Sequence, residues 1–77
     1  MENVSWERRE IHFSGRVQGV GFRYTVRQIA RRFPVEGFVE NLPNGQVHLV
    51  AEGDKGALDR FLAEIEAEMS GNITDQL

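Results

Sequence analysis

The sequence predicts an α+β fold, a ferredoxin-like split βαβ sandwich with two helices on one face of an antiparallel sheet. Three observations point to it. Apolar and polar residues alternate in three stretches; apolar residues recur at helical spacing in two others; and glycine, proline or asparagine separates most of the stretches. The order is βαββα, followed by a C-terminal stub.

Residues 7–17 alternate, with Arg9, Ile11, Phe13, Gly15 and Val17 on one side and Glu10, His12, Ser14 and Arg16 on the other. A period of two in β-forming residues is a strand. Glycines at 15, 19 and 21 then forbid regular structure. From Phe22 the period changes. Phe22, Val26, Ile29, Ala30 and Phe33 form a helical stripe, with Arg23, Arg27, Gln28, Arg31 and Arg32 off it. Pro34 ends the run, because the residue before a proline is pushed out of the helical region. The glycine loop therefore joins a strand to a helix N-terminus.

Val35 to Asn41 reads as a second strand, with Val39 and Asn41 on a common face. Leu42-Pro43-Asn44-Gly45 is a turn: proline presets φ, asparagine suits the next position, and glycine can take left-handed geometry. Residues 46–52 alternate again through Val47, Leu49 and Ala51, so the two strands form a hairpin. Gly53-Asp54 breaks the strand and offers Asp54 as an N-cap. Leu58, Phe61, Leu62, Ile65 and Met69 line one face of a second helix, which Ser70-Gly71-Asn72 stops.

A further strand would complete the split βαβ pattern. Residues 73–77 are too few for a full strand and its connection, so the final strand is expected to be missing. Residues 1–77 form a single domain, with 1–6 a loose N-terminal extension. A monomer is expected, and the open sheet edge offers a route to a strand-exchanged dimer.

With 77 residues, 40% of them hydrophobic, the chain has material for one small core and is not a disordered tail. It has no cysteine, which removes disulfides, thiol nucleophiles and thiolate metal sites. No apolar run approaches the ~20 residues of a membrane span. The N-terminus has no basic segment leading into an apolar one. A cytoplasmic protein is expected. Its net charge of -3 is unevenly spread. Residues 1–35 carry seven arginines against three glutamates, whereas residues 36–77 carry Lys55 and Arg60 against nine carboxylates. A basic region on an acidic protein suits a small anion better than a long polyanion. Attraction between the two halves would account for it equally.

Chemistry concentrates in Gly15-Arg16-Val17-Gln18-Gly19-Val20-Gly21-Phe22-Arg23. Glycines let successive backbone N–H groups point into one concavity. The helix start adds unpaired amides and the positive end of its dipole. Arg23 brings a fork of donors suited to two oxygens of one phosphoryl group. These features describe a phosphate cradle, although a tight connection with no ligand fits the glycines as well. The segment is neither a dinucleotide fingerprint, since Tyr24 stands where a third glycine belongs, nor a Walker loop.

That segment resembles the phosphate-loop signature of the acylphosphatase family, G-x-V-Q-G-V-x-F-R. Gly37-Phe38-Val39-Glu40-Asn41-Leu42-Pro43-Asn44-Gly45 resembles its second signature, G-[FWY]-V-x-N-x-x-[DN]-G. Val47, Ala51-Glu52-Gly53 and Leu58-Asp59-Arg60-Phe61 also read like the family, and the similarity runs from about Glu7 to Leu77. Family domains usually close with a further aromatic-rich strand, absent here.

The resemblance implies an enzyme that hydrolyses small acyl phosphates to a carboxylate and inorganic phosphate. It implies that Arg23 binds the phosphoryl oxygens together with backbone amides of Gln18, Gly19, Val20, Gly21, Phe22 and Arg23. Asn41 would orient the attacking water, whose proton a phosphate oxygen of the substrate accepts. No metal or organic cofactor is implied, and inorganic phosphate or a similar anion is expected in the loop.

Other residues carry plainer expectations. His12 and His48, mid-strand, should be solvated or packed rather than a base or a metal ligand. Arg27 and Arg31 should be solvated, Arg16 should lie on the surface at a strand end, and Phe22 and Tyr24 should pack. Glu64, Glu66 and Glu68 should form an exposed helix surface. Two alternatives stand beside the enzyme: a noncatalytic phosphate-binding module, and a fragment of a larger carbamoyl-phosphate-using protein. The latter rests on resemblance to the N-terminal domain of hydrogenase-maturation carbamoyltransferases. An RNA-binding sheet would need aromatic residues on its central strands, and residues 46–50 offer none. Neither nucleic acid nor a membrane is an expected partner.

Overall fold

A computed structural model of the chain describes residues 5–19 and 21–77. Its elements run β1 (Trp6–Gly15), α1 (Phe22–Ala30), β2 (Val35–Asn41), β3 (Val47–Asp54), α2 (Lys55–Met69) and β4 (Ile73–Gln76). The strands form one sheet in the order β2-β3-β1-β4, with every neighbouring pair antiparallel. This is the expected α+β arrangement.

The alternation in β1 and β3 decides which face is covered. Phe13 pairs with Val47 and Ile11 with Leu49, and these inward residues meet Val26 and Ile29 of α1 and Leu58, Phe61 and Ile65 of α2. Phe13 and Phe22 sit at the centre, their rings 5.1 Å apart, and both are 1% exposed. Burying a side chain of this size contributes about 1.5–3 kcal/mol. Arg8, Glu10, His12 and Ser14 occupy the opposite positions of β1, on the face that no helix covers.

The hairpin register is Val35↔Gly53 through Asn41↔Val47, so Val39 and Asn41 do share a face. Asp54 caps α2, its side chain accepting a hydrogen bond from the Gly56 amide at 2.9 Å.

Three expectations need correction. The C-terminal stub does form a strand. Residues 70–72 reverse the chain in a tight turn, with the Asn72 amide donating to the Met69 carbonyl at 2.9 Å. That short connection leaves Ile73–Gln76 free to pair with Phe13, Ser14 and Gly15 across a bulge. Among the described residues, β4 partners only the C-terminal end of β1, so the rest of that edge lacks a neighbour on this side.

Helix α1 ends at Ala30 rather than Phe33. The tighter bonds Arg32 N–H to Ile29 O and Phe33 N–H to Ala30 O close it over residues 31–34. The first strand begins at Trp6, opposite Asp54, one residue inside the supposed loose extension. Ser5, also in that extension, accepts the Lys55 amide at its carbonyl, and residues 1–4 lie outside the described residues.

Candidate functional site

The loop between β1 and α1 is held at both ends. At its base, Arg16 N–H donates to Asn72 O at 2.8 Å, and Asn72 Nδ2 donates back to Arg16 O at 3.1 Å. Val17 then drops into the core at 1% exposure and pins the chain behind it. Next, Gln18 reaches across to the β2–β3 turn. Its Nε2 donates to Leu42 O and to Gln46 O, both at 2.8 Å. Gln46 Nε2 in turn donates to Ser14 Oγ at 2.9 Å. The glycine loop, the hairpin turn and the end of β1 thus form one hydrogen-bonded unit.

Gly19 and Gly21 have φ of 75° and 76°, left-handed values that side chains with a Cβ rarely adopt. Neither glycine is there for want of space, because a Cβ at either would meet nothing within 4 Å. Their role is conformational. Gly21 is the N-cap of α1 and offers no side-chain cap. The first helical bond runs from Thr25 N–H to Gly21 O, so the amides of Phe22, Arg23 and Tyr24 have no acceptor within the helix. No acidic residue occupies the first turn. An anion there meets both free amides and the positive end of the helix dipole.

Arg23 lies on that first turn, exposed. Of the arginines, Arg8, Arg9 and Arg32 form ion pairs, and Arg16, Arg23, Arg27, Arg31 and Arg60 have no acidic partner among the described residues. The charge asymmetry therefore divides in two. Arg8 and Arg9 of β1 and Arg32 beyond α1 face carboxylates of the acidic half, whereas the arginines of the loop and α1 face solvent. Asn41 ends β2 on the face shared with Val39, the face against which the helices pack. It adjoins Leu42, whose carbonyl takes the Gln18 hydrogen bond. Its side chain makes no hydrogen bond among the described residues.

Of the residues expected to bind phosphate, Gln18, Gly19, Gly21, Phe22 and Arg23 surround the start of α1, and Val20 lies outside the described residues. Phe22 packs in the core as expected, whereas Tyr24 is 65% exposed and does not. Arg27 and Arg31 are exposed. Glu64 and Glu68 pair with Arg32, and Glu66 accepts from Gln76 Nε2.

Sequence reasoning missed the Gln18 tether and the Gln46 and Asn72 bonds. A glutamine inside a glycine loop was a signal, since a long amide side chain there can bond distant carbonyls, but its target needs the fold. A groove of about 420 Å³ between α1 and the β2–β3 hairpin is mostly apolar and is not lined by Arg23 or Asn41.

A second polar cluster occupies the uncovered face of the sheet. His48 Nδ1 lies 2.9 Å from Glu40 Oε2 and its Nε2 lies 3.1 Å from Glu10 Oε1. The Glu40 bond, opposed by partial desolvation and aided by Glu10, raises the His48 pKa above the ordinary imidazole value. His12 stacks on it. Neither ring is simply solvated.

Comparisons with known proteins show the family and the fold. Residues 9–76 match the family model described as Acylphosphatase. The acylphosphatase of Archaeoglobus fulgidus is 48% identical over 58 residues, covering 75% of this chain and 65% of that protein. That of Thermotoga maritima is 50% identical over 56 residues, covering 73% and 62%. The matched region thus spans a little under two thirds of these curated relatives. Among solved structures, the acylphosphatase crystal structure from Bacillus subtilis superposes with a TM-score of 0.81 at 35% identity, covering 91% of this chain and 79% of that one. An acylphosphatase from Coxiella burnetii gives 0.79 at 27% identity, covering 95% and 78%. No helix among the described residues is long and apolar enough to cross a membrane.

Proposed function

The chain belongs to the acylphosphatase family, and from that premise we propose that it hydrolyses small acyl phosphates to a carboxylate and inorganic phosphate. One observation carries the reading. A glycine loop tied to the β2–β3 turn by Gln18 runs into a helix start with no side-chain cap, beside Arg23, which has no acidic partner among the described residues.

The phosphoryl group sits against the backbone amides of Gln18 through Arg23, and the Arg23 guanidinium takes two of its oxygens. Gln18 contributes its amide N–H alone, its side chain being committed to Leu42 and Gln46. Asn41 orients the water. The water oxygen forms the new bond to phosphorus, and the bond from phosphorus to the acyl oxygen breaks. The carboxylate leaves with that electron pair, and both water protons pass to the phosphate or to solvent. Phosphoryl transfer of this kind depends mainly on positioning and on stabilising charge at the phosphoryl oxygens, which amides and a guanidinium supply. A carboxylate leaves readily without a general acid. A phosphate oxygen of the substrate serves as proton acceptor.

The test is hydrolysis of benzoyl phosphate by the 77-residue chain in excess EDTA, beside Arg23→Ala. Turnover is expected in the parent, with a loss of about 10²–10³ in the variant, as when a charge-stabilising donor is removed. A folded parent chain that binds inorganic phosphate but turns nothing over would refute the enzymatic reading and leave a noncatalytic phosphate-binding module.

A further inference from the structure

His12 and His48 stand directly opposite each other in the β1–β3 ladder. His12 exchanges both of its backbone hydrogen bonds with Leu77, N–H to O at 2.9 Å and O from N–H at 3.1 Å. Both of its main-chain groups therefore point away from β3. Toward β3 the histidines form a non-hydrogen-bonded pair, the arrangement that brings cross-strand side chains closest. Their rings stack with centroids 4.5 Å apart and planes 14° from parallel. Glu10 lies two residues before His12 on the same uncovered face. One donor atom from each of Glu10, His12 and His48 lies within 4.8 Å of the other two.

We propose that Glu10, His12 and His48 form a binding site for a divalent ion of the Zn²⁺ class. The site is separate from the phosphate loop and ties β1 to β3. Two imidazoles and a carboxylate are donors that Zn²⁺ takes and that Mg²⁺ and Ca²⁺ do not favour. The ion replaces the proton that His48 Nε2 shares with Glu10. At metal–donor distances of about 2.0–2.2 Å, tetrahedral donors stand roughly 3.3 Å apart, so the three must close by no more than about 1.5 Å. Rotation of the half-exposed Glu10 side chain and of the His12 ring toward His48 supplies that.

The surroundings favour the same site. Glu40 Oε2 holds His48 Nδ1 at 2.9 Å, the outer carboxylate that fixes the tautomer and orientation of a metal-bound imidazole. Phe38 meets the His48 ring edge-on at 5.9 Å and limits its swing. The His48 side chain is only 14% exposed, so little ordering remains when the ion arrives. His12 makes no side-chain hydrogen bond among the described residues, leaving its nitrogens available.

The test is titration of the EDTA-stripped, dialysed 77-residue chain with ZnCl₂ by calorimetry, with parallel thermal melts and MgCl₂ as control. One Zn²⁺ should bind and raise Tm, as any ligand selective for the native state does. His12→Ala and Glu10→Gln, each confirmed folded by circular dichroism, should abolish both effects. Glu40→Gln, acting through His48, should weaken binding by about tenfold or more. Absence of Zn²⁺ binding in the parent, or undiminished binding in either His12→Ala or Glu10→Gln, would overturn the assignment. Neither readout depends on catalysis, so the result stands apart from the hydrolase reading.

Discussion

Gln18 Nε2 lies 2.8 Å from the Leu42 carbonyl oxygen, which joins the middle of the glycine loop to the residue after Asn41. A second bond of equal length goes to Gln46 O. The loop that would hold the phosphoryl group and the strand end that would hold the water are therefore one unit. Gln18→Ala removes one of two donors from each carbonyl, Leu42 O keeping the Gly45 amide and Gln46 O the Leu42 amide, at a cost of about 0.5–1.5 kcal/mol per bond in stability. In a denaturant titration the midpoint should fall with an unchanged slope. Turnover should fall as well, because loop and turn lose their common register. Full activity in a destabilised Gln18→Ala would show that the tether serves the fold alone.

Two glycines should respond to alanine for different reasons. At Gly21 a Cβ has room, but φ is 76° and the residue caps α1. Gly21→Ala should cost roughly 1–2 kcal/mol from left-handed strain. It should also weaken inorganic phosphate binding, since relief of the strain turns the loop amides away. At Gly37, φ is 148° and a Cβ would overlap the Val50 carbonyl oxygen on the neighbouring strand. The β2–β3 ladder cannot yield there without losing its register, so Gly37→Ala should cost at or beyond the ~3 kcal/mol upper end of overpacking. Thermal melts of the two variants should show Gly37→Ala as the more damaged. The reverse order would mean that the hairpin gives way more easily than the loop.

Much of this architecture was legible because it rests on local signals. Val35–Asn41 stood out between Pro34 and the Leu42-Pro43-Asn44-Gly45 turn, and Asp54 announced α2 through its capping side chain. The misjudged parts depend on non-local facts. The apolar stripe of α1 continues to Phe33, which still packs on Phe61 at 6.1 Å, so periodicity alone could not reveal the tighter turn after Ala30. Residues 73–76 carry little strand pattern, and they pair because the turn after Met69 delivers them to the open edge of β1. The two motifs were visible as separate stretches. That Gln18 bolts one to the other could not be known before the hairpin was folded against the loop, and the His12–His48 pairing waited on a register no single strand specifies.

Asn41 and Arg23 should separate in their effects. The Asn41 side chain has no hydrogen-bond partner among the described residues and sits beside the loop rather than in it. If it orients water, Asn41→Ala should lower kcat strongly while leaving the inhibition constant of inorganic phosphate nearly unchanged. Arg23→Ala should weaken both. The check is steady-state kinetics with benzoyl phosphate, using inorganic phosphate as competitor. Parallel losses in phosphate affinity for the two variants would assign Asn41 to binding instead.

Acid stability should depend on the link between β1 and α2. Arg9 Nη1 donates to Asp59 Oδ1 at 2.8 Å, while Lys55 reaches Asp59 Oδ2 at 3.1 Å. The Arg9 hydrogen bond, with Lys55 adding to it, holds the Asp59 carboxyl below its ordinary value of 3.8. A carboxylate depressed in the folded state stabilises the fold above its unfolded pKa, and that stabilisation drains away as pH falls through the folded value. Asp59→Asn should therefore melt below the parent at neutral pH, and the gap should close as pH drops beneath about 4. The pair is exposed, so the gap is small and should shrink with added salt. Thermal melts from pH 2 to pH 7 at low and high ionic strength measure it. A gap that persists unchanged at pH 2 would mean that Asp59 contributes through neutral hydrogen bonds rather than through its charge.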